Sequence, residues 1–141
     1  MKASLVLILG ISAATASAQT THKHYEQSEA ATKPSPSGEI APRLQNLGTY
    51  TFKVSTKSKQ AQLFVNQGLN LAYGFNHAEA GRAFREAARL DPSCAMAYWG
   101  QAYVLGPNIN ALMTPDDEPK ALAAAQKAVS LKGKASAREK A

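Results

Sequence analysis

The sequence predicts an all-α fold, and three observations support this prediction. Alanine accounts for 27 of the 141 residues, and small side chains suit closely packed helices better than a β-sandwich, which uses branched and aromatic residues. No proline occurs between Ser58 and Pro92, so helices can run through this stretch without a break. Apolar residues recur at helical spacing there and beyond it, as expected for helices that bury one face.

Residues 1–18 have the features of a secretory signal peptide. A basic residue, Lys2, precedes an apolar run at 5–11, and small residues at 16–18 fit the cleavage pattern. The apolar run is too short for a transmembrane helix, and no later stretch approaches the roughly 20 apolar residues that a span needs. We therefore expect an exported protein, periplasmic or extracellular, without a transmembrane segment.

Residues 19–57 are expected to form a flexible linker. They contain few apolar residues, and the run KPSPSG at 33–38 is typical of chain that forms no stable fold. Within this segment, residues 50–54 alternate apolar and polar side chains, which would suit a short extended stretch against the helices that follow.

Four helices are predicted after the linker. Ser58 is a suitable N-cap for the first helix, whose buried face includes Phe75, and breaks are expected at 76–77, at 91–92 and at 106–108. The predicted spans are 59–75, 78–90, 93–105 and 117–132. Residues 133–141 form a basic tail, which also fits the start of a further helix that is cut short.

An internal repeat of 34 residues relates the first and third helices. It pairs Phe64 with Tyr98, Gly68 with Ala102, and Leu71 with Leu105. The second and fourth helices share a pattern that begins at Ala80 and at Ala121, which are 41 residues apart, so seven extra residues fall in the segment 106–116. Insertions in helical repeats form loops on one face, which is often the binding face.

The repeat resembles the tetratricopeptide repeat (TPR) family, whose units are helix-turn-helix hairpins. The matching positions, expected to be structural, are Phe64, Gly68, Leu71, Ala80, Phe84, Ala87, Pro92, Tyr98 and Ala102. Two departures are Leu71 in place of tyrosine and Gln67 in place of leucine. The resemblance implies an α-solenoid with a right-handed superhelix, made of two hairpins over 58–132. The first repeat would span about 61–94, and the second about 95–133.

The chain from Gly48 to Ala141 is also similar to a group of exported bacterial TPR proteins that are several times longer. The segments 67–77, 91–100 and 106–110 carry this likeness. It implies that the sequence is the N-terminal part of such a protein. The expected function is a non-enzymatic scaffold that binds a protein or an extended peptide. The alternative is the N-terminal scaffold segment of a larger exported enzyme or transport-associated protein.

Five residues are candidates for peptide or protein binding: Tyr73, His77, Tyr103, Asn108 and Asn110. The two tyrosines lie off the repeat face, where these solenoids line a concave groove, although core filling is the general role of aromatic residues. His77 lies at a turn between helices. The two asparagines flank Ile109 in the insertion, where they would either contact a ligand or build a structural corner.

No catalytic residue, metal or cofactor is predicted. The sequence lacks a Gly-rich phosphate loop, a nucleophile elbow and a paired-carboxylate motif, and His22 and His24 lack partners at the spacing of a closed zinc site. Cys94 is either activated by the start of the third helix or, as we favour, a small buried residue. The acidic run 116–118 suits the N-terminus of a helix.

The charge distribution argues against nucleic-acid binding, and the last helix suggests self-association. Although the net charge of the chain is +6, the segment 61–119 contains three basic and six acidic residues, so this segment is acidic and the positive charge lies toward the ends of the chain. After two repeats, Leu122 and Val129 of the fourth helix would remain uncovered. We therefore expect the protein to self-associate through this helix.

Overall fold

The computed structural model describes residues 34–141, in which there are five α-helices and no β-strand. The helices are α1 (Lys59–Tyr73), α2 (His77–Leu90), α3 (Ala95–Leu105), α4 (Glu118–Ser130) and α5 (Ala137–Lys140), with a 3₁₀ turn at Lys132–Lys134. The predicted all-α fold is confirmed for this part of the chain. The predicted signal peptide and residues 19–33 of the predicted linker lie outside the described residues. Within 34–141, no helix has the length and apolar character to cross a membrane.

Side-chain caps and two tight turns fix the ends of the helices. Ser58 Oγ and Asn76 Oδ1 each accept a hydrogen bond from the third N–H of the helix that follows, at 3.1 and 3.4 Å. α1 ends two residues earlier than predicted, because Phe75 takes a left-handed conformation with φ of 59°. α3 begins two residues later than predicted, because the Asp91 carboxylate accepts hydrogen bonds from Ser93 and holds a turn there.

Each helix from α1 to α4 packs mainly against its neighbours along the chain, and α1 also touches α3. Consecutive packed helices with compact connections run antiparallel, so the connections 74–76 and 106–117 lie at the same end of the bundle. We call this the loop end. A contact between the start of α2 and the end of α3 fits this direction, because a Cβ atom on Gly81 would lie 3.3 Å from Val104 Cγ2.

The core is centred on Phe84, whose fully buried ring lies between two glycines. A Cβ atom on Gly68 of α1 would lie 2.8 Å from the ring, and one on Gly100 of α3 would lie 2.3 Å from it. Both distances are too short for a real Cβ contact, so the backbones of α1 and α3 approach the ring as only glycine allows. The repeat pattern predicts Phe84 and Gly68 as structural positions, but it does not single out Gly100.

The other predicted structural positions differ in how deeply they are buried. Those in the first hairpin belong to the core: Phe64, Leu71, Ala80 and Ala87. In the second hairpin Tyr98 and Ala102 are only half-buried, and Pro92 is exposed at the turn between the hairpins. The second hairpin is therefore less covered than the first.

Residues 39–57, which we call the strap, lie against the helices. They form no helix or strand, but Ala41 and Val54 are part of the core, and Leu44 and Phe52 pack on it. The strap differs in this from the flexible chain expected for 19–57. The strap packs on the helices although it has few apolar residues, because polar side chains of α1 and α2 form hydrogen bonds with its backbone.

Gln67 of α1 is the main contact to the strap. Although polar, it is only 3% exposed. Its Oε1 accepts hydrogen bonds from Leu44 N at 3.0 Å and Arg43 Nη1 at 3.1 Å, and its Nε2 donates to Pro42 O at 2.9 Å. The departure from the leucine of the TPR pattern is thus explained by the hydrogen bonds that the strap requires.

Two further amide side chains of α1 bind the strap closer to its end. Gln62 Oε1 accepts a hydrogen bond from Val54 N at 2.9 Å, and Gln62 Nε2 donates to Phe52 O at 2.8 Å. Asn66 Oδ1 accepts one from Phe52 N at 3.2 Å. These contacts substitute for the strand partner that residues 50–54 lack.

Glu86 and Arg82 of α2 hold the start of the strap. The buried Glu86 carboxylate accepts hydrogen bonds from Ile40 N at 2.8 Å and from Arg89 Nη2 at 2.6 Å, while Arg82 donates to Ile40 O. Hydrogen bonding from Arg89 lowers the pKa of Glu86; burial opposes this change, and the Ile40 amide adds to it. The ionised carboxylate is therefore the form that the fold stabilises.

The C-terminal helix α5 also contacts the strap. Glu139 accepts hydrogen bonds from the backbone N–H of Ser55, at 2.9 Å, and from its hydroxyl, and the Arg138 guanidinium lies 4.5 Å from the centroid of the Phe52 ring. A capping box between Ser136 and Glu139 starts the helix. The basic tail of the sequence therefore includes a short helix that packs against the strap.

Gly100→Ala should destabilise the protein by about 1–3 kcal/mol, the usual cost of overpacking a core. The added methyl group would collide with the Phe84 ring, which outweighs the gain of about 1 kcal/mol that alanine normally brings to a helix. Chemical unfolding followed by circular dichroism measures the change. Gly133→Ala is the matched control, because nothing lies within 4 Å of a Cβ atom there. Equal stability of the two variants would contradict the close packing of Phe84.

Gln67→Leu should release the strap and destabilise the protein by about 1–3 kcal/mol, because Leu44 N and Pro42 O would lose their buried partner. Hydrogen exchange at the Leu44 amide measures the release directly. The control is Gln60→Leu, which makes the same change at an exposed position of α1. Unchanged Leu44 protection in the Gln67 variant would show that other contacts hold the strap.

Glu86→Gln should lower the free energy of unfolding at neutral pH by about 1.5–3 kcal/mol, since a charged acceptor is lost. A carboxyl group whose folded pKa is depressed stabilises the fold above its unfolded pKa, about 4.3, and this contribution disappears as the pH falls through the folded value. The difference between variant and wild type should therefore shrink below about pH 4. Unfolding curves across this range test it; a constant difference would exclude the ionised Glu86 as its source.

Candidate protein-binding surface

Exposed apolar side chains collect at the loop end. Tyr73 ends α1, Phe75 follows in the 74–76 connection, Tyr103 lies in the last turn of α3, and Ile109 and Leu112 lie between α3 and α4. Ile109 and Leu112 are each 88% exposed, and Tyr73 and Phe75 are more than half exposed. We call these five side chains the apolar rim. Large exposed apolar patches are uncommon on soluble proteins and often occur at interaction sites, which makes the rim a candidate binding surface.

The fold brings the five predicted binding residues to this same end. Tyr73 and Tyr103 belong to the apolar rim, His77 is the first residue of α2, and Asn108 and Asn110 lie in the connection to α4. This common location follows from the alternating direction of the helices, which places residues 30 or more positions apart at one end.

The sequence did not single out Phe75 or Leu112 as binding residues. Phe75 was expected on the buried face of the first helix, but it is 59% exposed because α1 ends at Tyr73 and the left-handed turn removes Phe75 from that face. Leu112 could have been noticed as a large apolar residue in a segment rich in helix breakers. Such a residue in a surface loop has no helix face to bury it.

Two aromatic rings extend the apolar surface along α3. The Trp99 and Tyr103 rings are stacked, with centroids 5.1 Å apart and an interplanar angle of 5°. They are four residues apart on the helix and therefore share a face. Both rings remain more than a third exposed, so the stack presents an apolar wall next to the rim.

Asn108 organises the insertion loop. Its backbone N–H donates to Ala111 O at 2.9 Å, and its Oδ1 accepts hydrogen bonds from Asn110 N and Ala111 N at 2.9 and 3.2 Å. The side-chain oxygen of Asn108 thus serves the turn itself, which corresponds to the structural corner considered above. The turn leaves Ile109 and Asn110 exposed at its tip.

His77 is held by an aromatic neighbour. Its half-buried ring meets the Phe75 ring edge to face, with centroids 6.3 Å apart and an interplanar angle of 80°. Among residues 34–141, no group of three or more His, Cys, Asp or Glu side chains is arranged to hold a metal ion. The geometry therefore gives His77 a place beside the apolar rim rather than in a ligand cluster.

Cys94 is fully buried at the residue before α3. Burial raises the pKa of its thiol, and the negative charges of Asp91 and Glu139 add to the increase. These effects oppose the activation that the start of a helix would otherwise provide. The favoured prediction that Cys94 is a small buried residue is confirmed.

Two acidic side chains are exposed next to the rim. Asp116 and Glu118 are exposed at the start of α4. Asp117, between them, is buried: it accepts a hydrogen bond from the Thr114 hydroxyl at 2.6 Å and lies 3.7 Å from Lys120 Nζ. Asp117 therefore supports the helix start, while its two neighbours give the loop end a negative edge.

A groove lies at the opposite end of the bundle. It is lined by residues 55–58, Leu90, Asp91, Ser93 and Lys134. The Asp91 carboxylate there already accepts hydrogen bonds from the Thr56 and Ser93 hydroxyls. Because these groups serve the strap and the turn into α3, the apolar rim is the stronger candidate for a binding surface.

Comparisons with known proteins add no relative to this description. A scan against protein-family models, a search of curated proteins and a search of solved structures each find no match. The resemblance to TPR proteins consequently rests on the residue pattern of the chain itself.

Proposed function

We propose that the protein is a non-enzymatic TPR-type scaffold that binds a protein or an extended peptide at its loop end. The observation that carries this proposal is the apolar rim, five exposed side chains from α1, α3 and the two connections at one end of the bundle. A partner that covers these groups removes their apolar surface from water, which favours binding by roughly 25 cal/mol per Å² of buried apolar area.

The packing of the helices supports the TPR part of the proposal. The helices follow one another in a row, and Phe84 of α2 lies against small residues of both α1 and α3. This is the relation that the 34-residue spacing predicts between a hairpin and the next one. We assign the first repeat to about 61–94 and the second to about 95–133.

The chemistry of the loop end indicates what kind of segment would bind. The rim and the Trp99–Tyr103 stack suit aliphatic and aromatic side chains. The exposed carboxylates of Asp116 and Glu118 favour a positive charge beside them. The partner we propose is therefore an extended segment with large apolar residues and at least one lysine or arginine.

The location of this activity is proposed from the sequence alone. The signal-peptide pattern of residues 1–18 supports a periplasmic or extracellular protein. Binding of a peptide segment needs no cofactor, so it is compatible with export. Self-association through α4 would leave the loop end available if it uses the outer face of that helix.

The experiment that tests this function is selection of binders from a displayed library of random twelve-residue peptides against the intact protein. We expect enriched peptides to combine aliphatic or aromatic residues with lysine or arginine. The double variant Ile109→Ser/Leu112→Ser should weaken binding of a selected peptide at least about tenfold, because it removes the two most exposed anchors. Fluorescence anisotropy measures this affinity.

Matched variants separate the rim from general effects. Leu63→Ser removes an exposed leucine of α1 that does not belong to the apolar rim. It should leave peptide affinity within about twofold of wild type, because residues outside the binding surface contribute little to affinity. Asp116→Lys should weaken the binding of basic peptides a few-fold, and this loss of affinity should be smaller at high salt, where the charges are screened. Selection of no enriched peptide, or of peptides that bind the Ile109/Leu112 variant equally well, would contradict the proposed function.

A further inference from the structure

The outer face of α4 carries two large apolar residues that nothing covers in residues 34–141. Leu122 is 57% exposed and Val129 is 60% exposed. They are seven residues apart, which is two helical turns, so they lie on the same side of the helix. Ala125 lies between them and is half-buried. The result is a narrow apolar face with a small residue at its middle.

The internal repeat indicates what kind of element covers such a face. A shift of 41 residues relates Leu122, Ala125 and Val129 to Gly81, Phe84 and Ala88 of α2. These three residues of α2 are buried, and α3 supplies the covering contacts at Gly81 and Phe84 through Val104 and Gly100. The equivalent face of α4 is therefore suited to a packed helix rather than to an extended strand.

The distribution of charge along α4 favours antiparallel packing against the same helix of a second copy of the chain. At the start of α4 the exposed acidic residues Asp116 and Glu118 outnumber the one exposed basic residue, Lys120, whereas Lys127 near its end and Lys132 just after it are basic and exposed. An antiparallel copy brings each acidic end beside a basic end. The dipoles of two antiparallel helices also attract each other. A parallel pair would place like charges together.

We propose that α4 packs antiparallel against α4 of a second copy of this chain, about a two-fold axis near Ala125 and Gln126. In this register Leu122 of one copy lies opposite Val129 of the other, and Glu118 lies beside Lys132. The contact is isologous, since both copies use the same surface. Ala125, on one side of the axis, is small enough for the two helices to approach there, and the exposed Gln126 lies on the other side of the axis.

This dimer differs from peptide binding in place and in chemistry. The peptide site is the apolar rim at the loop end, whereas the dimer uses the outer face of α4. A contact made by one helix face is at the small end of specific interfaces, so the dimer should dissociate on dilution. Experiments on dimerisation therefore test a different surface from experiments on peptide binding, and either proposal can fail without the other.

Sedimentation velocity of the intact protein over a concentration series tests the proposal. We expect the sedimentation coefficient to rise from monomer to dimer with concentration and the dimer to weaken as salt is added. Leu122→Glu should weaken dimerisation at least about tenfold by placing two charges in the apolar contact. Leu63→Glu, which adds the same charge to an exposed leucine of α1, should leave it unchanged.

Two further variants test the register. Glu118→Lys and Lys132→Glu should each weaken the dimer, and the double variant should restore it, because it exchanges the two charges of every pair. When copies carrying Leu122→Cys and Val129→Cys are mixed, the mixed disulfide should form in preference to either like pair. The native Cys94 is buried and does not compete.

The proposal would be overturned by a protein that stays monomeric at every concentration, or by a dimer that Leu122→Glu leaves intact. A dimer that the Leu122→Glu change breaks but the charge exchange does not restore would exclude the antiparallel register. Circular dichroism of each variant shows that it is folded, which the exposure of all five substituted positions leads us to expect.

Discussion

The aromatic ring of Phe84 fills the space between Gly68 and Gly100, and that contact determines how close α1 and α3 lie to α2. A side chain as small as alanine at either glycine would push a whole helix away, because protein interiors have little free volume. The alanines of α2 at 80, 83 and 87 are themselves fully buried, and their small side chains suit close packing of neighbouring helices. The spacing of the first three helices thus depends on one large residue and several very small ones.

Closely packed, alternating helices explain where the rest of the molecule is placed. The start of the strap reaches α2 at Glu86, two residues after Phe84, and the strap continues along α1 through Gln67 and Gln62. Within residues 34–141 no such segment covers the connections at the loop end, where Phe75, Ile109 and Leu112 remain exposed. The strap therefore covers one side of the bundle and the end opposite the loop end, while the loop end remains exposed.

The helices and part of the core can be predicted from local sequence patterns. Helical spacing of apolar residues, the cap at Ser58 and the proline at 92 predict four helices to within about two residues, the spacing of 34 identifies Gly68, and the resemblance to the TPR pattern identifies Phe84. The position of Gly100 was missed, because it lies outside the repeat positions and its role depends on which side of α3 meets the ring.

Contacts between distant residues account for what the sequence missed. Gln67 was visible as a polar departure from the repeat, yet its partners lie more than 20 residues earlier, and no local pattern connects them. The same holds for the candidate site. The binding residues were named one by one, but their collection at one end and the exposure of Phe75 and Leu112 follow from helix direction and turn geometry.

Native-state hydrogen exchange of α1, α2 and α3 tests most directly whether Phe84 joins them into one unit. If it does, the slowest amides of the three helices should exchange with one common opening free energy that falls together when denaturant is added. Exchange of α3 at a distinctly lower free energy than α1 and α2 would contradict this account, because it would show that the second hairpin opens while the contact of Phe84 with the first stays intact.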